Sequence, residues 1–268
     1  MAIAQDFSHV SGYDEAPAFL RQNPFIRGGY RVFYTPKQCL RSLFEWNNET
    51  LNIWTHLAGM VLFSGVLVHD VSNRLPIAQA SATDSLVLVS TCCAYITTLS
   101  LSVLYHTFNC QSRRAYERLL QYDIAGVSLS LWATFASGVF LAFDNYPTLR
   151  VIYILLEGVL LVLAIAKKEQ YPTKLLVGLA AFGVVPTIHW VYLAPSNMPV
   201  ICPRVLLLFM SAAASFLVLE CRFPERAWPG RHDIVGASHQ IWHVLVVLMT
   251  LWWHETAFEF IRCKAGLC

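Results

Sequence analysis

The chain has 268 residues, of which 56% are hydrophobic and only 13% charged; an ordinary soluble domain carries about 25% charged residues. Its net charge of +2, with no basic tail, argues against a protein held to nucleic acid by charge. The apolar residues are gathered into long blocks, the pattern of a chain that lives in a bilayer.

The opening stretch, MAIAQDFSHVSGYDEAPAFL, lacks a basic region followed by a short apolar core, so no cleavable signal peptide is expected. Residues 1–50 are read as a cytoplasmic N-terminal segment. A bilayer core about 30 Å thick needs about 20 mostly apolar residues as a helix. Seven stretches qualify: Ile53–Val71, Ser85–Phe108, Leu119–Phe143, Leu149–Ala166, Leu175–Leu193, Arg204–Leu219 and Ser238–Phe260. They make 51–260 a transmembrane domain and leave 261–268 as a short lumenal or extracellular tail. The predicted fold is all-α, a seven-transmembrane helix bundle. Polar, turn-rich connectors such as NCQSRRAYER, KKEQYPTK and CRFPERAWPGRHD separate the stretches. Pro203 and Arg204 are read as the start of the sixth segment. Pro186 predicts a kink in the fifth, where GVVPT would line a cavity.

Basic residues set the orientation. Arg21, Arg27, Arg31, Lys37 and Arg41 precede the first segment. Arg113, Arg114, Arg118, Lys167, Lys168, Lys174, Arg222, Arg226 and Arg231 fall in the second, fourth and sixth connectors, on the same face. Only Arg74, Arg150, Arg204, Arg262 and Lys264 lie on the other. This predicts a cytoplasmic N-terminus and a lumenal or extracellular C-terminus. The sequon Asn48-Glu49-Thr50 would then face the cytoplasm and stay unmodified.

The eight cysteines are scattered and contain no CxxC, which argues against a thiolate zinc site. Cys202, Cys263 and Cys268 share the lumenal face, and spacing does not fix which of them pair.

The topology sorts the histidines. His106 lies near the cytoplasmic end of the second segment, Asp123 about one turn into the third, and His239 and His243 at the start of the seventh. Three imidazoles and a carboxylate thus reach one level. Residues i and i+4 share a helix face, so His239 and His243 can chelate one ion, with His106 as a third ligand. Three histidines with an open fourth position are the catalytic style of zinc site. Ser102, one turn before His106, and Asp123 would orient a ligand or a bound water. An interhelical hydrogen-bonded contact remains the plainer reading of a single membrane histidine, and is preferred for His56, His69, His189 and His254, with His56 kept open as a fourth ligand. His232 and Asp233 are expected to be solvated. Glu157 interrupts IYILLEGVLLVLA too deep to reach the surface, so it should face protein or a cavity, with a serine or backbone partner. HETAF at His254 lacks the second histidine of HExxH, and no phosphate-binding loop, GxSxG elbow or dinucleotide-binding glycine run occurs.

SLFEWNNETLNIWTHLAG, SVLYHTFNC, YDIAGVS and SHQIWH together resemble the progestin and adipoQ receptor family, in its order and spacing, from about Asn23 onward. The resemblance implies seven helices, a cytoplasmic N-terminus, and a Zn2+ ion on His106, His239 and His243 with Ser102 and Asp123 beside it. It also implies kinship with alkaline ceramidases. NPFIRGGYR, SGVFLAF, GVVPTIHWV, FPERAWPG and WWH further resemble a Golgi-resident branch that tethers Raf kinase. Three expectations follow: a Golgi-anchored signalling regulator holding a cytosolic Raf-like kinase, a zinc-dependent hydrolase of ceramide-like lipid amides using Asp123 for proton transfer, or a receptor for a ligand that the short lumenal loops do not identify. Golgi residence has no motif of its own, and the plasma membrane is the alternative.

Overall fold

A computed structural model of the chain describes residues 10–166, 172–193 and 195–268, without the side chains of 164–166 and 172–176. Lys167 and Lys168, used above for orientation, lie outside the described residues, as does the side chain of Lys174. Among the described residues there is no strand, only one β-bridge between Ser11 and Tyr30.

The helices are α1 (Pro36–Arg41), α2 (Thr50–His69), α3 (Leu75–Ile77), α4 (Ala82–Phe108), α5 (Arg113–Ala142), α6 (Pro147–Ala166), α7 (Pro172–Phe182), α8 (Val184–Tyr192), α9 (Met198–Cys221) and α10 (Ser238–Lys264). Five bodies are long and apolar enough to cross a membrane: α2 continued through a π turn into α3, then α4, α5, α9 and α10. The other two expected segments coincide with α6 and the α7–α8 pair. The chain is therefore an integral membrane protein, and its membrane-spanning part is helical among the described residues.

Local chemistry explains most boundaries. Ser81 opens α4 by accepting the Asp84 N–H at 3.1 Å, and Ser112 opens α5 by accepting the Ala115 N–H at 3.1 Å. Thr35 and Gln38 form a reciprocal capping box on α1. Two expected boundaries move. The fifth segment breaks at Gly183, where a Cβ would lie 2.3 Å from the Phe135 ring. Pro186 falls in the first turn of α8, where its missing N–H costs nothing. The sixth segment begins at Met198, so Pro203 lies inside α9 rather than at its start. Its lost N–H removes one bond, to the carbonyl of Pro199 in the first turn, and the helix runs on.

Close packing ties α2, α4, α5 and α10 together. Gly126 lets α5 approach α4, so that Thr98 Oγ1 donates to the Gly126 carbonyl at 2.7 Å. Phe63, Leu88, Tyr95, Leu99 and Trp253 fill the centre. By contrast Val61, Leu86, Leu155, Val159, Leu206 and Met210 point outward from their helices, as a lipid-facing surface requires.

The segment before α2 folds over one end of this bundle, here called the proximal end. Backbone bonds join Ser11 to Tyr30, Asn48 to Gly29 and Gly230 to Phe25. Asp233, expected to be solvated, accepts the Arg27 N–H at 2.8 Å and pins this segment to the connector before α10. Arg31, read above only as a basic residue that sets orientation, is buried. Its guanidinium donates to the carbonyls of His106 at 2.5 Å and Thr107 at 3.1 Å, capping the C-terminal end of α4. At the opposite, distal end Cys263 and Cys268 form a disulfide, and Cys202 is free.

Candidate metal centre

Two helices, α4 and α10, bring His106, His239 and His243 together at the proximal end. Their nearest ring nitrogens all lie within 4.8 Å of one another. His106 is in the last turn of α4, held there by the Arg31 cap. His239 and His243 share one face of α10, in its first two turns. That helix start is fixed from outside: the buried carboxylate of Glu225 accepts the Ser238 N–H at 2.8 Å, the Ser238 hydroxyl and the Asn23 amide. Gln240 Oε1 accepts the Gly236 and Ala237 N–H groups at 2.6 and 3.2 Å.

Partners of the outer nitrogens determine the tautomers. His243 Nδ1 lies 3.0 Å from the carbonyl oxygen of Asn52, which can only accept, so Nδ1 carries the proton and Nε2 is a lone pair. His106 Nδ1 lies 2.7 Å from the Glu49 carboxylate and carries its proton for the same reason. His106 Nε2 is then a buried lone pair without a partner. His243 Nε2 faces His239 Nε2 at 3.2 Å. Two ligands on one tetrahedral zinc, each about 2.0–2.1 Å from the ion, stand about 3.3 Å apart. The donor set therefore fits a divalent ion of zinc type, with one imidazole nitrogen left buried and without a protein partner.

Glu49, at the start of α2, organises this wall. Its two oxygens accept from Asn52 at 2.7 Å, Asn109 at 2.8 Å and His106. Burial works against its charge, while the hydrogen bonds from His106 and Asn52 and the Arg31 charge favour it. A carboxylate hydrogen-bonded to the far nitrogen of a ligating histidine is a common outer support of metal sites.

The reading from sequence gave that supporting role to Ser102 and Asp123. Ser102 is buried and Asp123 half-buried, and Asp123 is close enough to Ser102 and His106 to interact with both. The structure brings the three histidines together, and the ring orienters of His106 and His243 are Glu49 and the Asn52 carbonyl. Glu49 was legible only as part of a sequon; its position just before an apolar run, one residue ahead of a membrane helix, was the available signal.

The remaining histidines divide. His254 pairs with Asp70 at 2.5 Å and His189 with the Tyr153 hydroxyl at 2.8 Å, as interhelical contacts. His56 makes no hydrogen bond. It stacks on His243 with ring centroids 3.8 Å apart, outside the three-nitrogen set. A cavity of about 380 Å³ opens onto His106 and His239, walled by the N-terminal segment, the connector before α10 and Glu49.

Fold and site together define a polytopic helical membrane protein with a buried three-histidine cluster at one end. A family model described as haemolysin-III related matches residues 44–254, and the chain belongs to that family, which includes the progestin and adipoQ receptors. The human "Progestin and adipoQ receptor family member 3" is 35% identical, across 94% of this chain and 86% of the relative. The "Adiponectin receptor protein" of Drosophila melanogaster is 28% identical, across 89% of this chain and 56% of its own length. "Heptahelical transmembrane protein 3" of Arabidopsis thaliana is 27% identical, across 89% and 83%.

Proposed function

We propose that the chain is a seven-helix signalling regulator with a zinc ion on His106, His239 and His243 at the cytoplasmic end of the bundle. The single observation that carries the metal reading is the bare, buried Nε2 of His106 beside two facing Nε2 atoms 3.2 Å apart. Bound there, zinc supplies a cross-link between α4 and α10 and a Lewis-acidic centre. The chain's own residues orient the ligands: Glu49 and the Asn52 carbonyl fix the tautomers, and Arg31 and Glu225 fix the helix ends. Positive residues support an inward-facing proximal end, and the heptahelical names of relatives support seven spans.

Golgi residence and tethering of a Raf-like cytosolic kinase rest on the sequence likeness to family member three. The surface for such a partner is the folded N-terminal segment, which exposes Phe33, Phe44 and Trp46. In cells expressing the full chain, a tagged Raf kinase should move to Golgi membranes; a kinase that stays diffuse contradicts the tether.

A second reading, lipid-amide hydrolysis, has one favouring observation: Ser102 is buried on α4 one turn before His106, on the same helix face. In that reading Asp123 accepts and returns a proton, and an apolar substrate enters from the bilayer. The test is purified protein with ceramides. Fatty acid released by the wild type and lost in Asp123→Ala supports it; equal release by both removes it.

A further inference from the structure

A second cavity, of about 40 Å³, lies between α5, α6, α8, α9 and α10, far from the histidine cluster. Trp253 in its wall is ten residues beyond His243 on the same helix, which is about 15 Å along the axis. Glu157 is the one ionisable side chain in that wall. It is fully buried, and among the described residues neither carboxyl oxygen has a hydrogen-bond partner, the expected serine or backbone group included. The other polar groups of the wall are mostly committed elsewhere: Thr187 donates to the Gly183 carbonyl at 2.8 Å and Thr134 to the Ser130 carbonyl at 2.9 Å. The Trp190 indole N–H is buried and free. Most of the remaining lining is aromatic or aliphatic, and Phe135, Phe143, Phe209, Trp190 and Trp253 share the cavity wall with Glu157.

A lone carboxyl in such a place costs several kcal/mol as an anion unless a cation from outside the chain meets it. Aromatic faces around one carboxylate are the chemistry that holds an ammonium, through ring quadrupoles and one charge-assisted bond. The volume suits a head group of that size and little more. The walls beyond it, Val205 and Leu208 on α9 and Pro186 on α8, are apolar and border lipid-facing residues such as Leu206 and Val185.

We propose that this cavity binds an amphiphilic primary amine, its ammonium against Glu157 and its hydrocarbon chain running between α8 and α9 into the bilayer. The site is independent of the metal centre, so either can fail alone.

The test uses the full chain in lipid nanodiscs, with dodecylammonium as probe and dodecanol and dodecanoate as comparators, read by quenching of the cavity tryptophans. Dodecylammonium should bind saturably and at least about tenfold tighter than dodecanol, and Glu157→Gln should bring the two level. Equal binding of amine and alcohol by the wild type, or unchanged amine binding by Glu157→Gln, overturns the proposal. A second measurement on unsubstituted protein keeps it testable if that variant fails to fold. Dodecylammonium, but not dodecanol, should protect Glu157 from dicyclohexylcarbodiimide, scored by peptide mass spectrometry; labelling that dodecylammonium leaves unchanged also overturns it.

Discussion

The two ends of the bundle each hold a buried histidine paired with a carboxylate, His106 on α4 and His254 on α10, and they differ in what surrounds the second nitrogen. At the proximal end His106 gives Nδ1 to Glu49, and its Nε2 is left bare beside the imidazoles of His239 and His243. At the distal end His254 gives Nε2 to Asp70, which also lies 3.1 Å from Arg74. Arg74 in turn grips Glu255 with two bonds of 2.8 and 2.7 Å. The His254 Nδ1 has no partner, and Phe63 packs edge-on against its ring. Both pairs join helices across the bundle. Both second nitrogens are buried without a hydrogen-bond partner among the described residues; the distal one has the Phe63 ring beside it, whereas the proximal one stands with two further imidazole nitrogens within 4.8 Å. The lesson is that a membrane histidine is read by what surrounds its unpaired nitrogen rather than by its first partner.

That contrast can be broken at several points. The largest effect is expected at the proximal end: His106→Ala or His243→Ala should drop zinc in the purified protein from about one ion per chain to about a tenth or less, by elemental analysis. At the distal end His254→Ala should leave zinc unchanged yet cost about 3–5 kcal/mol, because Asp70 loses its buried partner. Replacing His254 and Asp70 together with leucine should recover much of that loss in thermal unfolding, since two apolar groups leave nothing uncompensated. A smaller effect belongs to Glu49→Gln, which keeps the shape but weakens the hold on His106; zinc affinity should fall about 10–100-fold in chelator competition. The smallest is a control outside both regions. Arg113 and Glu117 form an exposed pair on α5 at 2.8 Å, and Glu117→Ala should shift stability by about 0.5 kcal/mol or less. A larger shift there would mean that unfolding temperature reports something other than these buried contacts.

Much of this was legible in the sequence, and the limits have physical causes. Blocks of apolar residues mark helices of membrane length whatever their tertiary partners, so α2, α4, α5 and α10 fall close to expectation. The His239–His243 spacing reads directly as one helix face, and polar cost in lipid singles out His106 and Asp123. Boundaries set by packing were not legible. The break at Gly183 depends on how near Phe135 comes, and α9 runs through Pro203 although a proline usually signals an end. Long-range pairings were hidden for the same reason: Glu49 with His106, Arg31 with the end of α4, and Asp70 with His254 each join residues far apart in the chain. Residues that orient a ligand are chosen by geometry, and a glutamate one position ahead of a membrane helix has no signature that separates it from an ordinary interfacial charge.

The central claim, an ion held by three imidazoles, is tested most directly by X-ray absorption at the zinc edge on purified wild-type protein. The account predicts three histidine nitrogens at about 2.0–2.1 Å with no sulfur neighbour. Purified wild-type protein with no zinc edge, or a spectrum with scatterers at about 2.3 Å from cysteine, would contradict it.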